Sequence, residues 1–93
     1  MVAPTNNSTN KKIIKLLPQE QEGSYQFNGQ SVATRNAIDK FGNEVIIAAH
    51  IILLKKVKEK GGLDYLQVFE IDGEKLWFID DVDHITALLP EDY

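Results

Sequence analysis

Apolar and polar positions follow one another most regularly between Leu63 and Leu89, LDYLQVFEIDGEKLWFIDDVDHITALL. In its middle, Asp72-Gly73 is a two-residue type I′ turn signal, because both positions need positive φ and Asp and Gly tolerate it best. A two-residue loop fixes the register. Ile71 then opposes Glu74, Glu70 opposes Lys75, Phe69 opposes Leu76, Val68 opposes Trp77, Gln67 opposes Phe78 and Leu66 opposes Ile79. One face carries Phe69, Leu76 and Phe78. The other carries Leu66, Val68, Trp77 and Ile79, with Glu70 and Lys75 as an opposite-charge pair. Both faces are substantially apolar, so this hairpin belongs in a sheet covered on at least one side.

The pattern before it predicts the remaining elements. Met1 to Asn10 is polar and reads as a disordered tail. Lys11 to Leu17 is a short amphipathic piece, strand or helical turn, that ends before Pro18. Tyr25 to Phe27, Asn28-Gly29 and Gln30 to Thr34 repeat the hairpin logic, with Tyr25 facing Val32 and the second strand running on towards Ile38. Asn43 reads as a helix N-cap, and Gly61-Gly62 as the stop after Lys60. Ile85 to Leu89 reads as a strand stopped by Pro90. The predicted order is β-β-α-β-β-β, in one α+β domain over 11–93. Its antiparallel sheet has about five strands, two hairpins plus a C-terminal strand, with one central helix packed on it.

That helix is apolar in nearly every direction between Val45 and Leu54, whereas a surface helix normally has one wet face. Self-association through Val45, Ile46, Ala49, His50 and Leu53 is the expected remedy, which makes a homo-oligomer. The same run is ten residues long and broken by His50, about half of the roughly 20 needed to cross a bilayer. The N-terminal MVAPTNNSTNKK has no apolar core of signal-peptide length, so a cytoplasmic, non-membrane protein is expected. The chain has no cysteine, which removes disulfides, thiolate metal sites and a cysteine nucleophile.

Charge is uneven. Residues 1–60 hold nine Lys/Arg and five Asp/Glu, and residues 61–93 hold one Lys and nine Asp/Glu, so the two segments carry +4 and −8. Internal pairing or plain solvation accounts for such a split, yet an acidic face built from Asp64, Glu70, Asp72, Glu74, Asp80, Asp81, Asp83, Glu91 and Asp92 could also occupy a cationic groove. Asp80, Asp81, Asp83 and His84 place four oxygen or nitrogen donors within five residues. Their spacing fits no calcium loop, and an Asp-rich turn usually bonds its own backbone. His50, mid-helix, is expected to be a core or interface residue. Ser24 and Ser31 have no spaced His/Asp partner, and no glycine spacing fits a phosphate loop. Lys55, Lys56, Lys58 and Lys60, with Arg35 and Lys40, form a basic cluster that a net-negative chain weakens as a nucleic-acid site. Tyr65, Phe69, Trp77 and Phe78 read as core rather than as a stacking platform.

Residues 63–70, LDYLQVFE, and the run Phe78-Ile79-Asp80-Asp81-x-Asp83-His84-x-Thr86-x-Leu88-Leu89-x-x-Asp92-Tyr93 resemble a family of small uncharacterised proteins first catalogued in staphylococci and common on phages and plasmids of Gram-positive bacteria. The Thr34-Arg35 strand end fits loosely as well. The segment between the Phe69 and Phe78 strands is much shorter here, a bare hairpin. The family has no assigned activity, so no residue inherits a catalytic role. The resemblance implies an accessory gene of a mobile element, a setting in which small binders and inhibitors of host systems are common.

The expectation is therefore a non-enzymatic protein-interaction module without cofactor or metal, presenting Asp80, Asp81, Asp83, Glu91 and Asp92 to a protein partner and occluding a basic site. A metal-binding module or small metal-dependent enzyme using Asp80, Asp83 and His84 is the first alternative. A nucleic-acid-binding regulator using Arg35, Lys55, Lys56 and Lys58 is the second.

Overall fold

The computed structural model describes residues 13–19 and 22–93, so the expected tail at 1–10 lies outside the described residues. The elements are β1 (Ile14–Leu16), β2 (Gln30–Ala33), α1 (Arg35–Phe41), α2 (Asn43–Lys60), β3 (Leu66–Ile71), β4 (Glu74–Asp80) and β5 (His84–Leu88), followed by a 3-10 turn at Pro90–Asp92. The fold is α+β. Its five strands form one sheet in the order β1-β3-β4-β5-β2, mostly antiparallel, with α2 packed on one face.

The β3–β4 hairpin has the predicted register at all six pairs, from Ile71↔Glu74 to Leu66↔Ile79. Asp72 and Gly73 both take the left-handed conformation, at φ 56° and 79°. Strand alternation then sends Phe69, Ile71, Leu76 and Phe78 inward against α2, where all are buried, and Phe69 meets Phe78 edge to face at 5.4 Å. Ile14–Leu16, the first part of the sheet, pairs antiparallel with β3 at the opposite edge from β2.

The expected hairpin at 25–34 does not form. Gln30–Ala33 pairs parallel with β5, Gln30 beside His84 and Ala33 beside Ala87, which makes the sheet mixed. Tyr25 makes only an isolated antiparallel bridge to Leu63. The cause is Phe27, which is fully buried and itself adopts positive φ. Burying a Phe side chain stabilises by roughly 1.5–3 kcal/mol, more than a turn preference is worth, so the chain bends one residue before Asn28-Gly29.

Nor does the second strand run on towards Ile38. Thr34 caps a separate helix: its Oγ1 accepts from Ala37 N at 3.1 Å, and Gly42 closes α1 by donating its N–H to Ile38 O. Gly42, rather than Asn43, stands at the N-cap of α2.

α2 buries Ile46, Ala49, Leu53 and Val57, one stripe at helical spacing. These residues lie in the chain's own core beside Phe69, Leu76 and Phe78. Ile46, Ala49 and Leu53 are thus not available to another chain, and Val45 is partly buried against the same core. What the sequence shows as an all-round apolar helix is two stripes, the second being Ile47, Ile51 and Leu54, at 59%, 50% and 38% exposure. Gly61 and Gly62 end α2 as expected. Gly62 has a further reason: a Cβ on it would come within 2.6 Å of Ser24 Cα, where segment 23–25 crosses 61–63.

Candidate functional site

The alternation that turns Leu76 and Phe78 inward also turns Asp80 inward, at the end of β4, where it is 6% exposed. A carboxylate so placed must be satisfied by protein donors. Phe27 N donates to Oδ2 at 2.9 Å, and Val82 N donates to Oδ1 at 2.7 Å. Both donors belong to residues with positive φ, Phe27 at 54° and Val82 at 82°. For a β-branched residue this conformation is strained. Asp80 is therefore a clamp that holds two unfavourable bends of the main chain together. The turn is closed further by Asp81, whose Oδ1 accepts from His84 N at 2.7 Å.

His50 completes the hold on Phe27. Its Nε2 donates to Phe27 O at 2.9 Å, and its Nδ1 lies 3.1 Å from Ser31 Oγ, with the ring 5.6 Å from that of Phe78. Both ring nitrogens are engaged within the chain, so the expected interface role of His50 gives way to one of fixing the 27–31 segment on α2.

Above the clamp lies a cleft of about 300 Å³ lined by Ser24, Tyr25, Gln26, Asn28, Asp80 and Val82. Tyr25 packs edge to face with Tyr65 at 6.4 Å, and both rings are partly in solvent. Val82 is 73% exposed, lifted out by its left-handed backbone, with the exposed Asp81 and Asp83 on either side. Two aromatic rings, one aliphatic side chain and two outward carboxylates thus share one end of the sheet. Ser24, Gln26 and Asn28 add polar lining to the cleft, the Gln26 amide donating to Ser24 O and Gly61 O.

The five acids expected to act together do not form one surface. Asp80 is buried. Glu91 and Asp92 follow β5 and lie at the far end of β4, which at seven residues is roughly 20 Å long. Asp92 accepts from Thr34 Oγ1 at 2.7 Å, Asn36 Nδ2 at 2.8 Å and Leu89 N at 3.1 Å, and so ties the chain's last turn to the start of α1. Those hydrogen bonds, Asn36 foremost, hold its carboxyl below the usual aspartate range. Only Asp81, Asp83 and Glu91 are exposed, Glu91 apart from the other two, and Asp81 already accepts from His84 N through Oδ1.

The alternatives fare similarly. Asp80 gives both its oxygens to backbone donors, and among the described residues no three carboxylate or imidazole side chains converge to hold a metal ion. The lysines of α2 do not gather with Arg35 and Lys40. Arg35 opens the other helix, Lys40 pairs with Glu74 at 2.8 Å across to the hairpin, and Lys56 leans on Glu59 at 3.4 Å. No helix among the described residues is long and apolar enough to cross a membrane.

Strand parity could have placed Asp80 from the sequence, because it is two residues beyond Phe78. Nothing local in the sequence announces Tyr25 and Val82 as neighbours across a cleft, since they meet only through the buried Phe27 and Asp80. No protein-family model matches the chain, and comparison with curated proteins and with solved structures finds no significant match.

Proposed function

We propose that the chain is a non-enzymatic protein-binding module that covers a basic site on a partner with the cleft and rim at the 80–84 turn. The observation that carries this is the exposed Val82, held in a strained conformation beside Tyr25 and between Asp81 and Asp83. Strain that persists at an exposed apolar side chain is commonly retained for a binding role. Tyr25 in the lining, with Tyr65 packed against it, is of the residue type enriched in binding hot spots. The open carboxylates add the sign: they favour a partner that offers lysine or arginine, and would speed its approach. The resemblance of 63–70 and 78–93 to small phage and plasmid proteins supports a mobile-element origin. A host defence or nucleic-acid-processing protein is the target this reading favours.

The test is capture from host lysate, comparing wild type with two variants. Asp83→Lys should lose the captured protein while keeping its melting temperature. Val82→Gly should bind more weakly yet melt higher, because glycine relieves about 1–2 kcal/mol of backbone strain. A partner retained equally by all three proteins would refute this reading.

A further inference from the structure

We propose that the outer stripe of α2 is the contact between two copies of this chain, packed antiparallel about a two-fold axis at Ile51. Glu44, Ile47, Ile51, Leu54 and Lys58 follow one another at intervals of three, four, three and four residues, and all five are exposed. This is the spacing of a coiled-coil seam, roughly 21 Å long. The inner stripe of the same helix already faces the sheet, and among the described residues nothing covers the outer one.

Charge identifies the occupant and its direction. The seam begins with an acid, Glu44, and ends with a base, Lys58, with Lys55 beside it. An antiparallel second copy centred on Ile51 sets Glu44 against the partner's Lys58, Ile47 against the partner's Leu54, and Ile51 against itself. Every apolar position meets an apolar one, and both ends pair opposite charges. A parallel copy would oppose Glu44 to Glu44 and Lys58 to Lys58, and would also align the two helix dipoles unfavourably. The two-fold arrangement is self-complementary, as a closed dimer requires.

The seam also adjoins an open sheet edge. Ile47 and Leu54 lie three before and four after His50, and so share its side of the helix. His50 bonds to Phe27 and Ser31, which places that side next to β2. β2 is an edge strand with Gln30, Ser31 and Val32 exposed, and it enlarges the surface a second copy can cover.

Sedimentation equilibrium of the full chain from micromolar to near-millimolar concentration tests this. The wild type should show a concentration-dependent dimer. Ile51→Glu should be monomeric throughout with an unchanged circular dichroism spectrum, because Ile51 is not part of the core. Glu44→Lys or Lys58→Glu alone should weaken association about tenfold or more, and the double variant E44K/K58E should restore it. A monomer at every concentration, a dimer indifferent to Ile51→Glu, or a double variant no better than the singles would each overturn the proposal. None of these residues touches the 80–84 turn, so the outcome is separate from that of partner capture.

Discussion

Around Asp80, one side chain decides the path of two chain segments that are far apart in sequence. Asp80→Ala would strand the buried Phe27 N–H and release the Val82 N–H, and an unsatisfied buried donor costs about 1–3 kcal/mol. The expected loss of unfolding free energy is about 2–4 kcal/mol, a large part of the 5–15 kcal/mol typical of a domain. Asp80→Asn keeps one acceptor oxygen and should lose about half as much. Urea unfolding followed by Trp77 fluorescence measures both, and equal losses would disprove the two-donor clamp. The inward position of Asp80 could be inferred from strand alternation, but its role could not. That role depends on Phe27, which the Asn28-Gly29 signal assigns to a strand and the core claims instead.

Among elements, those set by neighbours in sequence were readable and those set by distant contacts were not. The β3–β4 register follows from a two-residue loop alone, and the end of α2 from two glycines. α1 carried a signal, Thr34 followed by Ala37, Ile38 and Phe41 at helical spacing. It was masked because the preceding residues alternate like a strand. The parallel pairing of β2 with β5 has no local cause and was not legible. α1 is joined to the C-terminal turn by Asp92, whose carboxyl is lowered chiefly by Asn36 and Thr34. A carboxyl lowered on folding stabilises the native state above its ordinary range, and that contribution is lost as pH falls through the folded value. Stability should therefore decline below about pH 4, and Asp92→Asn should flatten that acid limb without removing it, because Glu74 is likewise lowered by Lys40. Thermal melts of both proteins from neutral pH down to about two units below the ordinary aspartate pKa check this.

Across the whole molecule, the all-round apolar character of α2 resolves into an inner stripe that the sheet hides and an outer one that it does not. The sequence displayed the excess of apolar residues but could not apportion it between core and surface, because the two stripes interleave through the Val45 to Leu54 run. Stability should be graded across the sheet. β4 is its central strand, flanked by β3 and β5, while β1 has three residues and a single neighbour. Amide hydrogen exchange should be slowest at Leu76 to Phe78 and fastest among strands at Ile14 to Leu16. Protection of β1 equal to that of β4 would show instead that the sheet opens only as a unit.

The strand order has a consequence for synthesis. Both borders of the sheet are made early, within the first 33 residues, while the three strands they lean on are made late, from Leu66 to Leu88. A nascent chain emerging from the ribosome can therefore rest these two ribbons on α2 but has no strand to pair them with until β3 to β5 appear, so the sheet must close late rather than grow strand by strand.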